Sequence, residues 1–342
     1  MKRKLAALAV ILCVGAGLVS GCSSSKPGAE VDASKNEDLS PMVTAENTVD
    51  DKDAAYQKFL DAQKAMEGAD SVTVNSEMLI DMTYDGKTDE SKQRFDIKRS
   101  LVDGKQIVDF VMNTQTKSTK EDGTEDEDAA QSQELPGYFA DDTLYFVQSV
   151  SDNEEENVKL KENMTYEELM SIIGSTYILN DISAEQVATS ASEQEKGVTK
   201  YIYILDNDKM AEYMMDNLSS SGIAFDEEGG VNINYANVSA DITEDGILTA
   251  YTFSVDAMIK DETGEVPFSY KIASAFTDIN STDVKVKTQD ELDEYITTQE
   301  YAQQLQNEQS ELPEGSSGDV QSADELPAAP EETAEAETAA AQ

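Results

Sequence analysis

The chain contains no histidine and no tryptophan, and its 342 residues include only two cysteines. Without histidine there is no Ser-His-Asp or Cys-His nucleophile, no imidazole metal ligand, and no side chain that titrates near neutrality with an unperturbed pKa. Positive charge is scarce too, because 25 Lys and Arg stand against 70 Asp and Glu, a formal net charge of −45. Nucleic-acid phosphates require Lys and Arg surfaces, so this balance argues against nucleic acid as a partner.

The N-terminus has the pattern of an export signal. Three basic residues, 2–4, precede an apolar run over residues 5–18 that is too short to span a bilayer core of about 30 Å. The run leads into Leu18, Val19, Ser20, Gly21 and Cys22. This ending resembles the bacterial lipobox, whose cysteine receives a diacylglyceryl anchor and becomes the new N-terminus. The resemblance implies that residues 1–21 are removed and that Cys22 holds the protein at the extracytoplasmic face of the bacterial cell membrane.

Processing at this site would leave few options for cysteine chemistry. Cys13 would leave with the signal peptide, and Cys22 would be consumed by the lipid. The mature chain would then have neither a free thiol nor a disulfide, although an extracytoplasmic location permits disulfides. We therefore expect the fold to be stabilised by packing alone.

Three segments lack apolar periodicity and are rich in charge. Residues 22–50 contain Pro27 and Pro41 among polar residues and predict a disordered linker. Residues 303–342 contain no Lys or Arg and predict a disordered acidic tail. Residues 114–134 predict a long, exposed, acidic hairpin loop. The folded domain is expected over residues 51–302, since the apolar patterns are concentrated there.

Within this domain, apolar residues first recur at helical spacing over 51–68 and then switch to alternation. Alternating segments are separated by Asp-Gly and Thr-Gly turns, which is typical of antiparallel hairpins. Further helices are predicted from the capping box at Thr165, from Asp206 or Asn207, and over 288–296. A change of phase near residues 236–237 predicts a β-bulge. The pattern predicts an α+β fold, a large antiparallel meander with helices covering one face.

The order of these elements resembles that of the LolA/LppX-like lipoproteins, including cell-surface lipoproteins of Gram-positive bacteria. The local similarities are at residues 137–145 and 276–280, and the resemblance covers roughly residues 52–285. It implies a sheet curved into an incomplete barrel, with helices on its concave face, that can enclose an acyl chain. None of the matching positions implies a catalytic residue.

Three apolar stripes are candidates for lining a lipid cavity on this face. They are Met78, Ile80 and Met82, then Tyr251, Phe253 and Val255, and finally Phe268, Tyr270 and Ile272. Methionine adapts to variable acyl chains, which suits such a cavity. The alternative is that helices fill the same face and that these residues form an ordinary core.

Acidic residues offer only weak candidates for chemistry. Residues 81–86 and 241–246 begin like calcium-binding EF-hand loops, but Lys92 and Thr252 occupy the twelfth position, where glutamate is needed. Both are better interpreted as strand ends that enter hairpin turns. Residues 125–128 could bind divalent cations loosely, with a solvated loop as the alternative. Carboxylate pairs suited to a glycosidase arise by chance among 70 acids, so they predict nothing.

We therefore predict no metal, no cofactor and no catalytic residues. The leading functional hypothesis is a non-enzymatic, lipid-anchored lipoprotein that binds a hydrophobic ligand or an envelope partner. The alternative is a structural or interaction lipoprotein with a filled core and no ligand. An open apolar cavity under the sheet would favour the first hypothesis, and a packed interior would favour the second.

Overall fold

The computed structural model describes residues 31–84, 86–120, 124–126, 129–149, 157–174, 177–178, 182–220, 229–261 and 264–310. The lipobox lies outside these residues. The chain divides into two units, Met1–Thr298 and Gln299–Gln342. In the second unit the described structure is the helix that begins at the boundary, so the fold below is that of the first unit.

Twelve strands and five α-helices make up the described structure. The helices are α1 (Lys52–Glu67), α2 (Tyr166–Ile173), α3 (Asn207–Ser220), α4 (Gln289–Leu292) and α5 (Thr298–Ser310). The long strands are β1 (Ser71–Tyr84), β2 (Lys87–Val102), β3 (Lys105–Ser118), β4 (Gln131–Ala140), β9 (Gly230–Thr243), β10 (Leu248–Asp261) and β11 (Gly264–Thr277). The short strands are β5 (Thr143–Ser149), β6 (Asn157–Asn163), β7 (Val187–Glu195), β8 (Val198–Leu205) and β12 (Ile296–Thr297).

All strands belong to one sheet with the order β12-β6-β5-β4-β3-β2-β1-β11-β10-β9-β8-β7. Strands β1–β6 form one meander and β7–β11 form a second, and the two join where β1 pairs antiparallel with β11. The sole parallel pair among the described strands is β12 with β6. The predicted α+β class with a large antiparallel sheet is confirmed, and the sheet is not closed.

The local signals in the sequence explain most of these elements. Asp51 caps α1 by accepting a hydrogen bond from the Ala54 amide, and Thr165 and Glu168 form the predicted capping box of α2. The turn between β7 and β8 places Lys196 at φ 51° and Gly197 at φ 81°, the positive values that a tight two-residue hairpin requires. The hairpin interpretation of residues 241–246 is confirmed, because β9 ends at Thr243 and β10 begins at Leu248.

The inner face of the sheet carries the apolar residues and is covered by α1, α2 and α3. Phe59 of α1, Leu169 of α2 and Met210 of α3 belong to the same hydrophobic core as the inner-face strand residues. The two faces of each strand alternate, so the residues between these apolar positions form the outer face.

Residues 31–50 differ from the prediction of a disordered linker, and we call them the N-terminal strap. The strap crosses the outer face: Ala33 packs against Leu79 and Ala273, and the Asn36 side-chain amide donates to the carbonyls of Phe253 and Ile272 at 3.2 and 2.7 Å. Such contacts use one small side chain and one amide rather than an apolar stripe. Periodicity therefore does not reveal them.

Strand β7, at one end of the sheet, is covered by the strap, and strand β6, near the other end, is covered in part by the two-residue strand β12. The strap bonds to β7, where the Val49 amide donates to the Ser190 carbonyl at 2.9 Å and the Ser192 amide donates to the Asn47 carbonyl at 3.0 Å. At the other end, β12 pairs with β6. Unpaired strand edges promote aggregation, so these additions protect the open sheet.

The acidic loop predicted over 114–134 is shorter in the structure. Strands β3 and β4 continue to pair through Thr114 with Gln133 and Thr116 with Gln131. These residues are polar, but they alternate in phase with the strand, and Thr114 is buried. Because these residues are polar, the sequence did not indicate that β3 and β4 extend into this segment.

One strand was missed, and three smaller predictions need correction. Strand β6 was not predicted, and the helix expected over 288–296 ends at Leu292, so that Ile296 lies in β12 instead. The bulge of β9 lies at Asn234, between the pairs Tyr235–Asp256 and Ile233–Ala257, slightly before the predicted position. Residues 303–310, expected in the disordered tail, are helical in α5, and residues 311–342 lie outside the described residues.

Candidate functional site

The structure brings all nine predicted cavity residues together on the inner face. Cross-strand pairs join Met78 to Ile272, Ile80 to Tyr270 and Met82 to Phe268 between β1 and β11. Between β10 and β11, Phe253 pairs with Ile272 and Val255 with Tyr270, and Tyr251 follows in the same phase. Strict alternation in the sequence was sufficient to predict this shared face.

These residues face packed side chains. Eight of the nine have exposed fractions between 0% and 6%, and Tyr270 is half-buried. A side chain that lined an open, water-sized cavity would retain accessible surface. The inner face is therefore filled where these eight residues lie.

Helix α1 supplies much of the filling. The Phe59 ring stacks on the Tyr251 ring with centroids 5.6 Å apart. Tyr56 meets the edge of Tyr203 at 5.2 Å. Aromatic pairs at these distances contribute about 0.5–1.5 kcal/mol each beyond the area that they bury. The aromatic cluster holds α1 against the β8–β10 part of the sheet.

The buried tyrosine hydroxyls of this cluster are hydrogen-bonded. Tyr56 donates to the Ile182 carbonyl and Tyr203 donates to the Ala55 carbonyl, both at 2.9 Å. Burial raises the pKa of both phenols, because it disfavours the charged phenolate. The two tyrosines therefore stay neutral and serve as structural donors.

A buried arginine lies on the same face and was not singled out by the sequence. Arg99 of β2 is 7% exposed, and its Nη1 donates to the Glu67 carbonyl at 2.8 Å and to the Tyr166 hydroxyl at 3.1 Å. Its Nη2 donates to the carbonyls of Met66 and Ala69 at 3.0 and 3.1 Å. The guanidinium thus joins the C-terminal end of α1 to β2 and α2. Arg99 lies on the same face of β2 as Ile97 and Phe95, two and four residues earlier. This alternation is the sequence signal that could have predicted its burial.

A groove of about 380 Å³ lies on the surface near the N-terminus of α3. Its polar lining residues are Ser40, Asp206, Asn207, Asp208, Asn234 and Tyr235. The carboxylate of Asp206 is already used, because it accepts hydrogen bonds from the amides of Asp208 and Lys209 at 3.1 Å. The Asn207 side-chain amide donates to the Ile233 carbonyl at 3.1 Å. The groove is polar and its main side chains serve the helix cap and the bulge of β9.

Acidic residues do not converge on a cation site within the part of the chain that the structure describes, where no group of three or more Asp, Glu or Cys side chains could hold a metal ion. Of the acidic stretch 125–128, Asp126 lies 3.7 Å from Lys120, and residues 127–128 lie outside the described residues. No helix among the described residues has both the length and the apolar character needed to cross a membrane.

Comparison with known proteins finds limited similarity. No protein-family model matches the chain, and no curated protein sequence matches it. A crystal structure of a beta-barrel-like protein, domain of unknown function DUF1849 from Brucella abortus, is 12% identical over 60% of this chain and 98% of that chain, with a TM-score of 0.15. An N-terminal dehydratase from the difficidin assembly line is 9% identical over 78% of this chain and 94% of that chain, with a TM-score of 0.12. The chain is thus a large, mostly antiparallel β-sheet protein with weak similarity to these structures.

Proposed function

We propose that the protein is a non-enzymatic lipoprotein, anchored through Cys22 at the extracytoplasmic face of a bacterial membrane, whose domain acts in protein interactions and holds no lipid. The observation that carries the choice between the two hypotheses is the packing of the inner face. Eight of the nine residues that would line a lipid cavity belong to one hydrophobic core together with Phe59 and Met210, and the ninth, Tyr270, packs against that core.

The resemblance to LolA/LppX-like lipoproteins remains part of this proposal. It supports the extracytoplasmic location and the interpretation of the open sheet as an incomplete barrel around helices. A carrier of that kind needs room for an acyl chain between sheet and helices. In this chain the Phe59 ring stacks on Tyr251 in that space. We therefore favour an interaction domain with an envelope partner of unknown identity over a carrier.

Native mass spectrometry of the mature domain tests the absence of a ligand. The chain should be produced without its signal peptide, incubated with phospholipid and free fatty acid, and measured alongside a lipid carrier as a positive control. We expect the mass of the bare chain. A reproducible adduct of one acyl chain per protein would contradict the filled-core proposal and support the carrier hypothesis.

Metabolic labelling with palmitate tests the anchor. The chain offers a matched control, because both of its cysteines lie in the N-terminal 22 residues. We expect Cys22→Ala to abolish the label and Cys13→Ala to keep it. Label that persists in Cys22→Ala, or that disappears in Cys13→Ala alone, would overturn the lipobox assignment.

A further inference from the structure

We propose that the groove near the N-terminus of α3 receives an arginine side chain of a protein partner. This inference rests on the proposed interaction function and deepens it, because it assigns a site on the domain and the chemistry that the site binds. The groove has a volume of about 380 Å³ and is lined by residues of the strap, β7, β8, α3 and β9. Sites that bind small groups usually have volumes of about 300–1,000 Å³.

Hydrogen-bond acceptors dominate the polar lining of the groove. The side-chain nitrogens of Asn207 and Asn234 are both used, in bonds to a backbone carbonyl of β9 and to the Asp256 carboxylate. Their side-chain oxygens remain as acceptors, beside the carboxylates of Asp206 and Asp208. Such a lining favours a ligand that carries positive charge and donates several hydrogen bonds.

Further negative charge lies near Tyr235, which forms part of the groove wall. Burial raises the pKa of this phenol, and the carboxylates of Asp256, Asp38 and Glu37 raise it further. These three carboxylates are therefore close enough to interact electrostatically with the groove. A concave site with apolar walls focuses the field of such charges. We call these three, together with Asp206 and Asp208, the groove carboxylates.

The chain does not neutralise this charge within the residues that the structure describes, since no lysine or arginine among them forms an ion pair with the groove carboxylates. Asp206 accepts hydrogen bonds from the backbone amides of Asp208 and Lys209, which are neutral donors. The Lys209 ammonium donates instead to the Glu185 carbonyl at 2.6 Å. A cation from another molecule would therefore find these carboxylates without a positive partner.

The helix dipole of α3 does not reverse this balance. The N-terminus of a helix carries positive partial charge, equivalent to about half an elementary charge, which opposes a bound cation. Asp206 and Asp208 place two full negative charges at the same end of α3. The potential in the groove is therefore negative.

The spacing of the acceptors favours an extended cation over a small metal ion. A metal ion needs several oxygens at about 2.0–2.6 Å, and in the described part of the chain no three acidic side chains converge in that way. A guanidinium distributes five N–H donors over a planar fork and so reaches acceptors that lie apart. Its alkyl stem can lie on the apolar part of the lining, which includes Ile204, Leu205 and Ala236. An arginine side chain matches both parts of the groove.

Amide chemical shifts in nuclear magnetic resonance test the site with two small probes. Acetyl-arginine methylamide presents the side chain without backbone charge, and acetyl-citrulline methylamide has nearly the same shape without the positive charge. Each probe is titrated into the chain without its signal peptide, at physiological salt, where the Debye length is about 8 Å. We expect saturating shifts at the amides of Asp208, Asn234 and Tyr235 with the arginine probe, and none with the citrulline probe.

Matched variants test which charges bind the probe. Asp206→Asn with Asp208→Asn keeps a capping oxygen on α3 but removes two charges. One partly exposed ion pair contributes about two- to fivefold in affinity, so the double variant should weaken binding about four- to twenty-five-fold. Asp51→Asn with Asp53→Asn makes the same change at the same two positions of α1, outside the groove, and should leave the affinity unchanged. Ala188→Leu fills the groove without changing its charge and should abolish the shifts.

Several results would overturn the site: no saturation with the arginine probe, equal shifts with both probes, or equal effects of the two double variants. An affinity for free L-arginine about tenfold or more above that for the blocked probe would overturn the assignment to a protein side chain and indicate a free amino acid as the ligand. Failure of this test is distinct from failure of the proposed function. A lipid adduct in native mass spectrometry would contradict the filled core whether or not arginine binds in the groove.

Discussion

Replacing Arg99 tests how the helices are fixed to the sheet. The guanidinium donates four hydrogen bonds, three of them to carbonyls at the C-terminal end of α1 and one to Tyr166. Arg99→Met keeps the length of the apolar stem but removes every donor. A positive charge at a helix C-terminus is also lost, and that interaction contributes up to about 2 kcal/mol in a partly buried site.

The expected loss of stability follows from the buried carbonyls that Arg99→Met leaves without a hydrogen-bond donor. Each buried polar group left without a partner costs about 1–3 kcal/mol, and relief of the desolvation of the guanidinium offsets part of the total. We expect Arg99→Met to lower the free energy of unfolding by about 3–5 kcal/mol. Arg99→Lys retains the charge but lacks the planar fork, so about half of that loss is expected.

Urea unfolding followed by near-ultraviolet circular dichroism provides the measurement. Arg94→Met is the matched control, because Arg94 lies on the opposite face of the same strand and its ion-pair distance to Asp96 is 3.9 Å. Partly exposed pairs of this kind contribute about 0–1 kcal/mol. The reasoning fails if Arg99→Met costs less than about 1 kcal/mol, or if Arg94→Met costs as much as Arg99→Met.

Three further substitutions give separate predictions. A Cβ at Gly137 would lie 2.1 Å from Cζ of Phe110. Gly137→Ala should therefore lower the free energy of unfolding, measured in urea, by about 1–3 kcal/mol. The loss should be much smaller in a Phe110→Leu background, and equal losses in both backgrounds would contradict the prediction. Hydrogen bonds from the backbone amide and hydroxyl of Thr288 lower the pKa of Glu291 from 4.5 to about 2. This lowered pKa stabilises the fold above about pH 4.5, and the stabilisation is lost as the pH falls towards 2. Glu291→Gln should therefore flatten the pH dependence of the free energy of unfolding in this window, and an unchanged slope would refute the prediction. Asn36→Ala removes two hydrogen bonds to strand carbonyls and should cost about 1–2 kcal/mol while speeding proteolysis within the strap; an unchanged cleavage rate would contradict it.

The parts of the fold that sequence predicted are those with local physical signals. The capping box of Thr165 and Glu168 fixed the start of α2, and alternation fixed the inner-face residues of β10 and β11. In these elements each residue needs only neighbours a few positions away to adopt its conformation. Periodicity and capping therefore contain the necessary information.

The parts that sequence did not predict depend on distant or non-periodic contacts. Ala33 and Asn36 fix the strap through one small side chain and one amide, and neither leaves a periodic pattern. The sequence analysis did not single out Arg99, because its partners are backbone carbonyls of the distant helix α1. Alternation identified the nine cavity candidates, yet it could not say whether a helix fills their face, because the position of Phe59 over Tyr251 is a tertiary contact.

The pairing of β1 with β11 has a consequence for how the protein folds. Met78 pairs with Ile272, so the two halves of the sheet can join only after nearly the whole domain is available. Closing such a long loop is entropically costly, so we expect this pairing to form after the hairpins of the two meanders. An exported chain with this topology would cross the membrane before its central strands could meet. Under the proposed export, the connectivity of the sheet would thus delay the joining of its two halves until β11 has crossed the membrane.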